Sequence, residues 1–470
     1  MPKEFPEPLP LAKLLGPSFI ILALGLGSGE IILWPSLVSK FGLGIAWGAF
    51  LGLTFQFFMN MEIERYALIK GESVFVGLAK LFRWAPYWFI LSTFVAWAIP
   101  GIIAASAKVF AHIFGITDIF GFQSFKIIGI GFLILIGLIL SSGTTVYGLV
   151  ERITKFILLI GSPFILILAV ILTKPEGWLA LGKGIVGIGD GFIFLPAGIV
   201  IGQFLGAFAY AGAGGNLNLT QSIYVKEKGY GMGAYSQRIS GLFKAKKDEK
   251  IKLSGEDFEL NEINISRFNV WWKRVNQEHL IVFWGIGLIT ILFLMLLSYN
   301  AAYQKGDLGK DIEFVLNEGK VIGQTIFPFV GIMFLSAVVI MLFQTQLGVL
   351  DSTSRIMAEN LAVIKLKKAE ETINLSRLYY LFLWSQIAVG ILIFLLFETN
   401  PLQLVIIAAV LNAVAMFVHV GMVNWMNYKV LPKELQPGAL RRLIMIGIFI
   451  FFGFFSIITI WIEVGKLIPK

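Results

Sequence analysis

Gly25-Leu26-Gly27-Ser28-Gly29-Glu30 lies inside an apolar run over residues 16–38, and Gly212-Ala213-Gly214-Gly215-Asn216 lies inside another over 197–225. A run of roughly 20 apolar residues is long enough to cross a bilayer as a helix, and glycine weakens a helix interior wherever it falls. Each cluster therefore predicts a membrane helix broken part-way across. Unwinding frees backbone N–H and C=O groups that lipid cannot satisfy, so the gap must line a protein cavity or hold a ligand.

Similar apolar runs recur along the chain. Hydropathy gives about eleven spans, near 16–38, 43–69, 86–113, 125–142, 153–173, 197–225, 279–301, 322–348, 378–397, 401–425 and 442–464. With 57% hydrophobic and 14% charged residues, nearly the whole chain is membrane domain. The broken spans are the first and the sixth, and they open two five-helix repeats, 16–173 and 197–425. Residues 1–15 are then a cytoplasmic tail, 174–196 an external connection, 226–278 a cytoplasmic loop within the second repeat, and 426–470 an eleventh helix with the C-terminus. Glycine clusters often serve only close helix packing. Breaks at corresponding positions of two halves instead mark an inverted-repeat transporter with its substrate at the midplane.

The net charge of +9 follows topology. With the N-terminus inside, roughly 27 Lys and Arg fall in cytoplasmic segments and about 9 outside, the asymmetry of the positive-inside rule. Nucleic acid is not implied; the lipid bilayer of the cell membrane is. The leader, Met1-Pro2-Lys3-Glu4-Phe5-Pro6-Glu7-Pro8, lacks the basic start and apolar core of a secretory signal. Lys244-Ala245-Lys246-Lys247-Asp248-Glu249-Lys250 reads as a solvated loop, and Asp307, Asp311 and Glu313 as an external connection. The chain has no cysteine, which excludes disulfides and thiolate metal sites. Nothing implies a cofactor.

Glu30 is the acidic residue that this assignment places mid-membrane, where a charge costs on the order of 3 kcal/mol even on lenient scales. It reads as a cation ligand or a titratable coupling group, with a structural hydrogen bond as the alternative. Asn216 offers an amide oxygen to a cation or caps the half-helix after it. Gly27, Ser28, Gly29, Ala213 and Gly214 supply backbone dipoles, and Ser28 adds a hydroxyl. One carboxylate, one amide and carbonyls form a hard oxygen site, suited to Mg²⁺, Mn²⁺ or Ca²⁺. His112, His279 and His419 are too far apart in sequence to read as a metal cluster. His419, Lys108, Gln344 and Glu359 are candidates for coupling or gating; a satisfied interior histidine and a snorkelling lysine are the plainer accounts of the first two. Asp351 and Arg355, spaced i, i+4, predict an ion pair, and Glu62, Glu64 and Arg65 a similar cluster.

Gly16-Pro17-Ser18-Phe19, the helix running into Phe41-Gly42, Gln56 and Arg65 through Gly71, Asn216-Leu217-x-Leu219-x-x-Ser222, and the spacing of Gln344 and Glu359 resemble the Nramp (natural resistance-associated macrophage protein) divalent-metal transporters. The resemblance covers most of the chain. It implies the LeuT-type fold and metal transport coupled to protons. The departures fall on the site. Where that family has Asp-Pro-Gly-Asn this chain has Gly27-Ser28-Gly29-Glu30, and where it has Met-Pro-His-Asn this chain has Ala213-Gly214-Gly215-Asn216. The family's acidic proton-path positions in the third helix are Ser92, Ile99 and Ile102 here. A second resemblance, of Gly27-Ser28-Gly29 and Phe208-Ala209-Tyr210-Ala211-Gly212, is to the broken-helix motifs of amino-acid transporters of the APC superfamily.

Two functional readings follow: secondary transport of a divalent cation, or of a small organic solute such as an amino acid, with protons or sodium as the coupling ion. An enzyme is disfavoured, because no paired carboxylates, Ser/His/Asp set or phosphate-cradling loop falls at membrane depth.

Overall fold

The computed structural model describes residues 3–14, 16–142, 146–236, 251–304, 311–366, 372–398 and 400–467. Among them, ten helices are long and apolar enough to cross a membrane: Pro17–Phe41, Leu43–Lys70, Ala85–Ile113, Ser124–Ser142, Val150–Leu172, Glu262–Ala301, Pro328–Lys365, Leu375–Leu396, Pro401–Val430 and Ala439–Ile462. Between the fifth and the next of these lies one more passage in short pieces, Ile201–Ala209 and Thr220–Lys228, with the 3-10 turn Gly215–Leu219 between them. Neither piece spans alone. Counting it as the sixth gives the eleven passages read from hydropathy.

The two interruptions differ in kind. In the sixth passage the helix ends at Ala209, and Gly214 and Gly215 take φ values of 77° and 56°, a left-handed conformation that glycine adopts without steric cost. In the first passage the chain widens rather than unwinds: Ser28–Leu33 is π-helical, between α-helical Pro17–Gly27 and Trp34–Phe41. Pro35 follows directly and cannot donate a backbone hydrogen bond, and its ring would crowd the carbonyl four residues back in a regular α-helix. The wider turn relieves that crowding, and π-turns inside helices frequently occur at functional sites.

The two interrupted passages pack on one another at the glycines. A Cβ on Gly25 would lie 2.7 Å from the Gly212 carbonyl carbon and oxygen, and one on Gly29 would collide with the Tyr210 carbonyl. Glycine thus serves close packing and interruption together. The third passage is bent as well, into Ala85–Trp97 and Gly101–Ile113, with Pro100 at the junction. Trp97 at the bend stacks on Tyr210, ring centroids 5.3 Å apart.

Several connections are more ordered than their polarity suggests. The predicted loop 226–278 is largely structured at both ends: residues to Lys228 complete the sixth passage, and Glu262–His279 is a helix continuous with the seventh. Asn261 caps it by accepting from the Asn264 N–H at 2.9 Å. The eighth passage runs Pro328–Lys365, starting and ending later than the predicted 322–348. Short helices occupy Pro175–Ile185 and Glu313–Thr325. The N-terminal tail is docked: Phe5 is fully buried against Phe258, Trp271 Nε1 donates to the Pro6 carbonyl, and Arg274 donates to the carbonyls of Pro8 and Leu9. The run Lys244–Lys250 and Asp307 lie outside the described residues.

Gly29→Ala is expected to abolish folding into a monodisperse detergent-purified protein, because the new methyl meets a backbone carbonyl that cannot yield and overpacking alone costs about 1–3 kcal/mol or more. Gly131→Ala, with open space at its Cβ, should leave the elution profile and thermal midpoint unchanged or slightly improved.

Candidate functional site

The π-helical turn of the first passage places Glu30 fully inside the protein, 0% exposed. Thr290 of the seventh passage is the polar side chain beside it. The Thr290 hydroxyl, however, is shared between the Ile286 and Gly287 carbonyls, 3.0 Å each. Neither carboxylate oxygen of Glu30 therefore has a hydrogen-bond partner, and the Ser28 hydroxyl has none either. A buried acid without a partner is destabilising for the fold alone.

The unwound stretch of the sixth passage is held from outside. Gln56 of the second passage clamps it: Nε2 donates to the Ala209 carbonyl at 2.9 Å, and Oε1 accepts from the Gly214 N–H at 3.2 Å. One side chain thereby satisfies both lips of the break. Asn412 donates to the Tyr210 hydroxyl at 2.9 Å, and His419 Nε2 lies 3.0 Å from the Gly215 carbonyl. Asn216 donates through Nδ2 to Ser92 (2.8 Å) and Thr93 (2.9 Å) of the third passage, while its Oδ1 is buried and unpartnered.

Glu30 and Asn216 share no hydrogen bond; one faces the seventh passage and the other the third. Among the described residues no three His, Asp or Glu side chains cluster closely enough to hold a metal ion. Any ion beside Glu30 would meet one carboxylate and otherwise neutral oxygens. Of the coupling or gating candidates, His419 lies at the sixth break, and the others bond elsewhere. Gln344 donates to Thr154 at 3.1 Å, and Glu359 accepts from Ser73 (2.7 Å) and Lys226 (3.1 Å). Asp351 accepts from Arg355, Tyr379 and Tyr224, and Arg355 also binds Glu227, so the i, i+4 pair forms inside a larger buried network.

Lys108 ties the third passage to the connection before the eighth, at 2.6 Å from Asp311 and 2.9 Å from Glu313. Burial raises the Glu313 carboxyl, but the Lys108 ammonium outweighs it and holds the group below its ordinary value. Glu318, on the same short helix, is pushed up to about 8 by burial, with a Ser298 hydrogen bond acting in the opposite direction.

Sequence reading did not find the Gln56 clamp, Thr290, Ser92 with Thr93 as partners of Asn216, or Asn412. A glutamine inside a membrane span is a signal for Gln56. The other contacts come from passages far apart in sequence and left no local mark.

No protein-family model and no curated protein sequence matches the chain. Solved structures do. A mutant of the Eremococcus coleocola manganese transporter aligns with a TM-score of 0.70 at 11% identity, over 99% of this chain and 92% of that one. MHP1, a nucleobase-cation-symport-1 family transporter, aligns at 0.55 and 14% identity, over 98% and 96%. MhsT in complex with L-phenylalanine aligns at 0.53 and 14%, over 94% and 97%. At such identities the likeness shows the fold: this chain has the LeuT-type fold, with the first and sixth passages interrupted.

Gln56→Ala leaves the Ala209 C=O and the Gly214 N–H unpaired in the interior, which should cost about 1–3 kcal/mol for each and lower the thermal midpoint of the purified protein. Glu318 gives a pH signature. Its folded value near 8 lies above the ordinary 4.5, so the folded state holds the extra proton and stability falls as pH rises between those values. Glu318→Gln is expected to remove that slope, on the order of 1 kcal/mol per pH unit, in thermal midpoints measured across that range.

Proposed function

We propose that the protein is a secondary transporter that carries a divalent cation across the cell membrane by alternating access, with its N-terminus in the cytoplasm and a site of Nramp type remodelled towards hard ions such as Mg²⁺ or Mn²⁺. The observation that carries this reading is Glu30: a fully buried carboxylate in an interrupted membrane helix, with no partner for either oxygen. A cation supplies the missing partner, and oxygen-only surroundings suit a hard ion. The Ser28 hydroxyl would join its shell from the first passage, where the Gly29 carbonyl already accepts from the Trp34 N–H; Gly27, Gly29, Ala213, Gly214 and the Asn216 amide oxygen would join it on a rearrangement of the two interruptions. The LeuT-type fold, which this chain shares with a manganese transporter, supports the reading.

In this reading the buried networks around Asp351, Arg355 and Glu227, and around Glu359 and Lys226, close the end of the bundle that carries the N-terminal tail. The Lys108–Asp311–Glu313 cluster ties elements at the opposite end. Substrate passage requires these ties to break in turn. One observation favours an amino-acid substrate instead: the unwound stretch at Tyr210–Gly214, beside the Trp97–Tyr210 stack, offers backbone groups and an aromatic wall.

The test is thermal stability of the detergent-purified protein against Mg²⁺, Mn²⁺ and a panel of amino acids, with uptake into proteoliposomes. Saturating Mn²⁺ or Mg²⁺ should stabilise the wild type by about 3 kcal/mol at a hundredfold excess over its dissociation constant. Glu30→Gln should lose both the stabilisation and the uptake. Saturable metal uptake by Glu30→Gln rejects the site, and stabilisation by an amino acid with indifference to metals rejects the substrate class.

A further inference from the structure

Ser18, Glu278 and His279 form a second buried polar group, separate from Glu30. Ser18 begins the first passage, and the other two lie where the helix Glu262–His279 meets the π-helical segment Leu280–Ile286 of the seventh. Ser18 Oγ is 2.5 Å from Glu278 Oε2 and 2.7 Å from His279 Nδ1. The three residues are 0%, 4% and 0% exposed. The imidazole is fixed between two rings, Phe57 at 5.6 Å and Phe283 at 4.6 Å between centroids. Both ends of the chain of hydrogen bonds are open: Glu278 Oε1 and His279 Nε2 are buried and have no partner.

A hydroxyl carries a single hydrogen, so between a carboxyl group and an imidazole nitrogen it satisfies both neighbours in two ways. In one, Ser18 donates to the Glu278 carboxylate and accepts from His279 Nδ1–H, leaving Nε2 bare. In the other, the Glu278 carboxylic acid donates to Ser18, Ser18 donates to Nδ1, and Nε2 carries the hydrogen. The two arrangements differ by one proton and by the direction of every hydrogen bond. We propose that the triad is a proton relay between the first and seventh passages. A hydronium ion gives its proton to His279 Nε2 and leaves as water. The Nδ1–H bond breaks as that proton passes to Ser18 Oγ, and the Ser18 O–H bond breaks as its proton passes to Glu278 Oε2. One proton enters, one carboxylic acid forms, and the triad goes from one negative charge to neutral with no further reactant.

The charges that face this proton come from other elements. Glu64 of the second passage and Lys155 of the fifth act on Glu278. Glu64 accepts from Gln221 at 3.1 Å, and Lys155 is 2.7 Å from Glu151, which also binds Lys228 at 2.8 Å. Tyr230, buried nearby, lies within the field of Glu278, Glu64 and Glu151. The first and seventh passages are also those that carry Glu30 and Thr290, about 18 Å and 16 Å further along at 1.5 Å per residue. A proton taken up at the triad therefore changes the tie between the two helices that flank the candidate site. That role in coupling rests on the transport reading; the relay itself does not.

The test is rapid-scan infrared difference spectroscopy of the detergent-purified full-length protein after a pH jump, read at the carboxylic acid C=O stretch. The wild type should give a band that Glu278→Gln abolishes. Ser18→Ala keeps both ends of the chain but should delay the band by about tenfold or more, and Ser18→Thr should restore its rate. A band unchanged in Glu278→Gln, or a Ser18→Ala rate equal to that of the wild type, overturns the relay. In proteoliposomes, Mn²⁺ uptake by the wild type should move protons, and Ser18→Ala should lose the proton movement while keeping Mn²⁺-dependent stabilisation. Absence of Mn²⁺ uptake by the wild type rejects the transport reading alone, since the infrared result decides the relay.

Discussion

The contact between the first and sixth passages sets the terms for the rest of the structure. Gly25 lies against the Gly212 backbone and Gly29 against the Tyr210 carbonyl, leaving no room for a side chain at either position. Two helices that approach so closely cannot both stay regular when one contains a run with Gly214 and Gly215 at positive φ. The sixth opens, and the first widens into a π-turn. Peptide groups released inside a membrane protein need partners, and the partners come from other passages: Gln56 of the second and His419 of the tenth, while Asn412 of the tenth holds the Tyr210 hydroxyl.

Against that thoroughness, the groups left without partners stand out. Backbone at the sixth break is clamped, yet both oxygens of Glu30, the Ser28 hydroxyl and the Asn216 amide oxygen are buried and unsatisfied. All four are oxygens, and all lie in or beside the two interruptions. Several other buried charges are paired: Arg355 has Asp351 and Glu227, Lys226 has Glu359, and Arg65 has Glu62. Among the described residues, Glu30 has neither such a counter-charge nor a hydrogen-bond partner.

Much of this was legible in the sequence because the bilayer imposes simple rules. Eleven apolar runs, two of them cut by glycine at matching positions, were enough for an inverted repeat, which the Nramp resemblance narrowed to the LeuT type, and Asp351 with Arg355 was readable from an i, i+4 spacing. Polar helix was harder to see. Glu262–His279 and the end of Pro328–Lys365 carry too many charges for a hydropathy window, yet they continue membrane helices: the first buries one face, with Phe268, Trp271 and Val275, and leaves the other exposed, and the second is buried among other helices through Asn360. The docking of the tail around Phe5 left no local mark, since its binding surface is made by residues more than 250 positions away. The kind of interruption in the first passage was also hidden: glycine alone suggests unwinding, and it is the crowding at Pro35 that accounts for a widened helix.

The structure also explains why the carboxylate stands where it does. In the Nramp motif that this sequence resembles, the position of Gly27 holds aspartate. Here a Cβ on Gly27 would lie 2.6 Å from the Thr345 Cβ, and Thr345 is fixed by donating to the Ala23 carbonyl at 3.0 Å. The eighth passage fills the space an aspartate would need. An acid in this turn must therefore leave the face that meets the eighth passage, and Glu30, three residues along, points towards Thr290 of the seventh. Three residues move the acid about 4.5 Å along the helix at 1.5 Å per residue, and the π-helical turn that begins at Ser28 rotates it away from the eighth passage. The seventh passage, through Thr290 at one level and Glu278 and His279 at another, then becomes the helix against which the first is set.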